Sequence, residues 1–484
     1  MFKRIVKTIF LIIAFLLSFM AFFSGKWYRD IYGDVGFQSI LFTLLSPMEG
    51  TASNIVYSWL LRGLLPTIIF TLIAVGIYFY LLKKLKINNL IKKTVSIVLC
   101  LCLWGYGSFV TGIPKYLSGR LFETQIYNNC YVAPKDVKIT FPKQKQNLIY
   151  IFLESMETTY LSTTEGGGLS QNTIPELYNL ANENLNFSHN NTVGGYGQIT
   201  NATWTSASMV AHTAGVPLYL PIKYINPKKD SNFLPNIKSL TDILNENGYY
   251  QAIMFGSKAS YGGRGQYYSQ HSVDKVYDYY SAVNDGIIPN DYFVWWGLED
   301  NRLYDYAKKE LAKISKQEKP FAFTLLTADT HHIAGYNCEY CDNKYSTQYE
   351  NVIACSSKQV NEFINWIKKQ EFYNDTTIII TGDHLSMDAQ FFSQNMQKGH
   401  TRHVYNCFIN SKAETNNSKN RTFTPMDMFP TTLAAIGCEI EGERLGLGTN
   451  LFSQEKTLAE NIGTKKLNNE LNKKSKYYIE NFIK

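Results

Sequence analysis

The chain has 484 residues, a formal net charge of +7, 18% charged residues and 45% hydrophobic ones. The length allows more than one folding unit. The positive surplus forms no long basic run and no aromatic-interleaved basic patch, so the sequence reads as having no nucleic-acid partner.

The first 113 residues are far more apolar than the rest. Spanning a bilayer takes about 20 apolar residues. Three stretches qualify, Ile5–Phe23, Leu64–Leu82 and Val95–Ile113. They predict a three-helix membrane anchor over residues 1–113. Lys3, Arg4 and Lys7 precede or open the first span, and Lys83, Lys84, Lys86, Lys92 and Lys93 lie between the second and third. Basic residues stay on the cytoplasmic side, so both groups give one topology: in, out, in, out. Everything after Pro114 is then expected outside the cytoplasm, in a multi-pass protein of the inner membrane. A cleaved signal peptide is the other reading of the first span. No small-x-small site follows Phe23, which favours an uncleaved anchor. Gly36–Leu45 is too short to cross and is expected at the outer interface, where Trp27, Tyr28, Tyr32 and Trp59 also fit.

Residues 114–146 read as a linker and 147–453 as an α/β domain. Leu148–Leu153, Gln251–Phe255, Pro320–Leu326, Thr376–Thr381 and Tyr405–Ile409 are predicted strands. Helical patterns fall between or after them at Ile174–Asn184, Ile237–Asn247, Glu299–Ser315, Lys358–Lys369 and Met426–Ala435. Continuous apolar strands alternating with helices imply a mostly parallel sheet covered on both faces. Residues 454–484, rich in Lys, Asn and Glu, read as a C-terminal helix or tail.

Polar residues collect where such a sheet puts its ligands, beyond the carboxyl ends of the strands. Glu154 follows the first strand, Asp329-Thr330-His331-His332 the third, and Asp383-His384 the fourth. Glu154, Asp383 and His384 would make a three-donor site for a divalent cation with positions open for a hydroxyl and a phosphate oxygen. Candidate hydroxyls lie in Gly197–Met209. Residue type alone leaves Thr200, Thr203, Thr205 and Ser206 open. Of eight cysteines, Cys338 and Cys341 form a C-x-x-C. In an oxidising compartment a disulfide from one of them to Cys355 is the first expectation, with zinc as the alternative.

The motif order L-E-S, N-A-T-W-T-S-A-S-M-V-A, G-V-P-L, T-x-D-T-H and G-D-H-L-S-M resembles the alkaline phosphatase/sulfatase superfamily. Within it the chain resembles the lipoteichoic acid synthase-like branch, and most of all phosphoglycerol transferases of type I, which act on periplasmic glucans. Trp204-Thr205 with Met209-Val210-Ala211, Gly215–Leu218, Tyr261–Gly265, Asp383–Met387 and Arg444–Phe452 carry that likeness over about Asn147–Phe452. The resemblance implies an alkaline phosphatase-like fold and a ping-pong transfer of phosphoglycerol from phosphatidylglycerol to a glycan. It implies Thr205 as nucleophile and metal ligand beside Glu154, Asp383 and His384. His331 would bind the substrate phosphate or protonate the leaving group, with His332 able to take that place. Arg264 would hold the headgroup. One divalent ion is implied, Mn²⁺ first, with Zn²⁺ or Mg²⁺ as alternatives. His212 reads as structural, and His271, His400 and His403 have no assigned role. A departure is the three spans, where lipoteichoic acid synthases have five. The alternatives are a phosphoethanolamine transferase acting on lipid A or another surface glycan, a sulfatase, and a degenerate membrane scaffold. A sulfatase would need a C/S-x-P-x-R motif, which is absent near Thr205.

Overall fold

A computed structural model describes residues 2–45, 53–81, 84–219 and 233–484. Leu82 and Lys83, at the end of the second expected span and the start of the basic loop, lie outside the described residues, as do the side chains of Lys3 and Arg4. The chain divides into two units, one of residues 1–37, 51–118 and 387–390, the other of 38–50, 119–386 and 391–484.

In the first unit three helical segments, Ile5–Tyr32, Ile55–Tyr80 and Asn89–Val110, are long and apolar enough to cross a membrane. Each overlaps an expected span. The first runs further, as a single helix Phe2–Tyr32, and the second starts earlier. The first and third helices cross at small residues. A Cβ on Gly107 would lie 2.3 Å from the Ala21 carbonyl oxygen, so only glycine permits that approach. Small residues at a crossing are how apolar helices gain dispersion contact without a hydrophobic driving force between them.

The second unit is built on a seven-stranded sheet. In chain order its strands are β1 (Asn147–Leu153), β2 (Gly195–Tyr196), β3 (Tyr250–Phe255), β4 (Lys275–Tyr277), β5 (Phe321–Leu326), β6 (Thr376–Gly382) and β7 (Val404–Ile409). Their spatial order is β2-β7-β6-β1-β5-β3-β4. β6, β1, β5, β3 and β4 run parallel, and β7 and β2 add antiparallel at one edge. The five expected strands are present. β2 and β4 were not legible, because two and three residues are too few to show a period.

Alternate residues of a strand face opposite sides, and here both sides are buried. Leu148, Tyr150 and Phe152 join one core with the helices Thr205–Ala214, Leu240–Glu246 and Met428–Ala435. Ile149, Ile151 and Leu153 join the other, with Pro175–Glu183, Asp300–Ile314 and Gln348–Ile367. This two-sided covering is why β1 reads as an unbroken apolar run.

Two expectations are revised. The helix expected at Lys358–Lys369 spans Gln348–Ile367, because Thr347 and Glu350 form a capping box that starts it ten residues earlier. The segment expected as a surface helix or tail folds back instead. Leu467, Leu471, Tyr478 and Phe482 are buried in the first core, and the Tyr478 hydroxyl donates to Pro217 O at 2.9 Å.

Candidate active site

Parallel pairing of β1 and β6 sets Leu153 opposite Gly382. The next residues, Glu154 and Asp383, therefore leave the sheet side by side. Asp383 Oδ1 accepts from the backbone N–H of Ser155 at 2.8 Å and of His384 at 2.7 Å. Its Oδ2 is buried and accepts no hydrogen bond. His384 donates from Nδ1 to Leu385 O at 2.8 Å. That bond fixes the tautomer and leaves Nε2 free as a ligand atom. Nε2 lies 3.3 Å from Asp383 Oδ2 and 3.6 Å from Glu154 Oε1.

Thr205 completes the group from the other side of the chain. It is the first residue of the helix Thr205–Ala214, where unpaired N–H groups and the helix dipole favour negative charge. Its Oγ1 is 3.3 Å from both Glu154 Oε2 and His384 Nε2.

The donor set fits a divalent cation. One oxygen or nitrogen from each of Glu154, Asp383 and His384 lies within 4.8 Å of the others, and all three residues are buried. Burial and the Glu154 carboxylate raise the Asp383 carboxyl above its ordinary range. Burial opposes the His384 imidazolium, but Asp383 and Glu154 outweigh it and raise its proton affinity. Two carboxylates and an imidazole facing one another without solvent need a positive charge between them. Without a cation, protons supply it.

The remaining expected residues lie around this group. His331 follows β5 and donates from Nδ1 to His332 O at 2.8 Å, so Nε2 is the nitrogen left for a substrate. Burial, and then the nearby His384, hold it down at about 4 despite that hydrogen bond. His332 is more deeply buried, and burial with His331 beside it holds it well below the ordinary value. His331 is the more exposed of the two. Arg264 is buried; its Nη2 bonds the Ser257 hydroxyl, and its Nε has no hydrogen-bond partner among the described residues. Burial lowers its proton affinity, while Tyr261, Glu154 and Asp383 oppose that fall, so it shares the field of the metal-type donors.

Further residues support this group, of which Trp296 and Glu157 were not singled out from the sequence. The Trp296 ring lies tilted to those of His331 and Tyr261, with centroids 4.3 Å and 4.9 Å away, joining the Tyr261–Gly263 turn to the histidine. His212 bonds Ser208 O through Nδ1 at 2.8 Å, with the Tyr196 hydroxyl 3.0 Å from Nε2. Tyr196 in turn donates to Gly382 O at 2.8 Å, so His212 ties the Thr205 helix to the end of β6, as a structural histidine would. Glu157 is fully buried. It accepts from Arg402 Nε at 2.8 Å, from Ser386 N at 3.0 Å and from the Thr159 hydroxyl at 2.6 Å. Glu157 lies three residues past Glu154, and Ser386 three past Asp383, so this pair clamps the two loops that carry the acids. Arg402 and Glu157 are 245 residues apart, and no local spacing could have paired them.

Comparison with known proteins agrees with this architecture. The sequence model of the family described as Sulfatase matches residues 146–438. Phosphoglycerol transferase I of Escherichia coli (strain 55989 / EAEC) is 32% identical over 263 residues, 52% of this chain and 33% of that protein. The chain thus spans about a third of the length of the curated relatives it matches. Among solved structures, a protein in the alkaline phosphatase superfamily from Vibrio parahaemolyticus superimposes with a TM-score of 0.51 at 20% identity, covering 68% of this chain and 76% of that one. The integral membrane protein lipooligosaccharide phosphoethanolamine transferase A from Neisseria meningitidis gives 0.52 at 14% identity, covering 90% and 84%. These likenesses show an alkaline phosphatase-like fold.

The Arg402 clamp generates a prediction. Arg402→Met removes the cation and leaves the Glu157 carboxylate buried. The loss should be about 3–5 kcal/mol of stability, read by thermal or denaturant unfolding of the detergent-solubilised chain. A loss under about 1 kcal/mol, the range of an exposed ion pair, would show that the clamp does not hold the loops.

Proposed function

The chain belongs to the sulfatase family, a family of enzymes, and on that premise we propose that it is a membrane-anchored phosphoglycerol transferase. The observation that carries this reading is the Thr205 hydroxyl on a helix N-terminus, 3.3 Å from Glu154 and His384. The 32% identity to phosphoglycerol transferase I supports a glycerol headgroup. In this reading residues 1–113 anchor the chain in the inner membrane, and 147–453 act outside the cytoplasm on phosphatidylglycerol and a glycan acceptor. A lipid donor fits an enzyme held at the headgroup layer.

Glu154, Asp383, His384 and Thr205 would hold one divalent ion, Mn²⁺ by preference for an oxygen-rich set with one imidazole. When bound, the ion supplies positive charge to the phosphoryl oxygens and lowers the pKa of the threonine hydroxyl. Thr205 Oγ, its proton released to solvent, forms a bond to phosphorus as the bond from phosphorus to the diacylglycerol oxygen breaks. An acceptor hydroxyl then gives its proton to the now neutral His331 and forms its bond to phosphorus as the bond to Thr205 breaks, and Thr205 is regenerated. Arg264 pairs with the phosphodiester anion. His331 is neutral before substrate arrives. An anionic phosphodiester beside Nε2 raises its proton affinity, so it takes up a proton with substrate and delivers it to the diacylglycerol alkoxide. A free threonine hydroxyl is nearly inert at neutral pH, so the surrounding field must provide the reactivity.

A sulfatase reading has no support at residue 205, since formylglycine forms from cysteine or serine. A phosphoethanolamine donor would bring its ammonium group toward Arg264.

With phosphatidylglycerol labelled in its headgroup glycerol, Thr205→Ala should fold and lose transfer by several orders of magnitude. The wild type without acceptor should carry label on the peptide containing Thr205. Near wild-type transfer by Thr205→Ala would overturn both the nucleophile and the covalent route, and label from ethanolamine rather than glycerol would overturn the headgroup.

His331→Ala should lower transfer from phosphatidylglycerol by about 10²–10⁴-fold, the usual contribution of a general acid. It should have little effect on a nitrophenyl phosphoglycerol donor, whose leaving group needs no proton. Equal losses on both donors would assign His331 to phosphate binding alone.

A further inference from the structure

Away from the Thr205 site, three thiols meet under the loop that follows β5. Cys338 and Cys341 lie in that loop, and Cys355 lies on the helix Gln348–Ile367. All three are buried and unbonded. Cys338 Sγ is 3.7 Å from Cys341 Sγ and 3.7 Å from Cys355 Sγ, and the three sulfurs lie within 4.8 Å of one another. The disulfide expected from the sequence is therefore not formed. Cys338 stands equally far from both possible partners, and any one bond would leave the third thiol buried and odd.

We propose that Cys338, Cys341 and Cys355 bind a zinc ion, separate from the catalytic metal, that staples the His331 loop to the helix Gln348–Ile367.

Three features carry the proposal. Tetrahedral zinc with Zn–S of about 2.3 Å sets its sulfurs about 3.8 Å apart, and two edges here are 3.7 Å. The Cys338–Cys341 segment is a tight turn closed by Cys341 N donating to Cys338 O at 3.1 Å. Gln359 is the fourth donor. It sits one turn beyond Cys355 on the same helix face, is more than nine-tenths buried, and has its amide nitrogen 3.2 Å from Cys355 Sγ and 3.8 Å from Cys338 Sγ. Its Oε1 has no partner among the described residues. Amide oxygen and nitrogen are interchangeable by a simple flip, which would turn that orphaned oxygen toward the ion.

Binding releases the three thiol protons to solvent and changes no oxidation state. The consequence reaches the substrate side, because Tyr336 N donates to Asp329 O at 2.7 Å and Asp329 is two residues from His331. The staple would hold that stretch in place. It would also protect thiols that an oxidising compartment otherwise pairs.

The test uses the full chain in detergent, purified under reducing conditions and loaded with cobalt(II) as a zinc surrogate. We expect the intense near-ultraviolet thiolate-to-cobalt charge-transfer band, displaced stoichiometrically by zinc. The Cys355→Ala variant should lose the band and one zinc equivalent by elemental analysis, while Gln359→Ala should keep the band with weaker metal affinity. The wild-type measurement decides even where Cys355→Ala fails to fold. A reduced wild-type chain that shows no thiolate band would overturn the proposal. So would acid-trapped protein from cells in which Cys338 is disulfide-bonded to Cys341 or Cys355. Neither readout depends on transferase activity, so failure here leaves the proposed function standing.

Discussion

Two buried carboxylates held side by side are the constraint on which the rest of the domain turns. The parallel register of β1 and β6 is fixed by seven paired residues, and it delivers Glu154 and Asp383 to the same point. Like charges at that range in a dry site repel strongly. The strand register cannot relax without turning every β1 side chain to the wrong core. The repulsion is answered locally instead, by the His384 ring, by backbone N–H groups on Asp383 Oδ1, and by the space for a cation between the three.

The surrounding structure reads as support for that point. Glu157 and Arg402 fix the two acid-bearing loops to each other. Tyr196, His212 and Ser208 fix the Thr205 helix to the end of β6, with the Ser208 hydroxyl donating to Asp383 O. Gln198 accepts from Leu385 N at 3.0 Å, steadying the residue whose carbonyl orients His384. Each of these contacts acts on a donor through its backbone or its neighbour. Such supporting partners set how well a metal site is preorganised.

Much of this was legible in the sequence, for identifiable reasons. β1, β3, β5, β6 and β7 are long apolar runs, and the polar residues that end β1, β5 and β6 mark the functional edge. Glu154, Asp383 and His384 stood out because they break that apolar pattern. Thr205 did not stand out from Thr203 or Ser206 by type. Only the family motif chose it, and the helix start at Thr205 supplies the physical reason. What could not be read was non-local. The Arg402–Glu157 pair joins distant segments, Trp296 reaches His331 across a loop, and the C-terminal helices bury Leu467 and Tyr478 despite a polar composition. The capping box at Thr347 is a local signal that starts the helix early enough to carry Cys355, 3.7 Å from Cys338.

The proposed chemistry requires one divalent ion joined to Glu154, Thr205, Asp383 and His384. Diffraction data collected on the metal-loaded chain above and below the manganese and zinc absorption edges test for it. One anomalous peak is expected, with a ligand atom of each of the four residues at about 2.0–2.4 Å. A peak that excludes Glu154 or Thr205 from its ligands, or no peak at this point in metal-saturated and active protein, would rule that ion out.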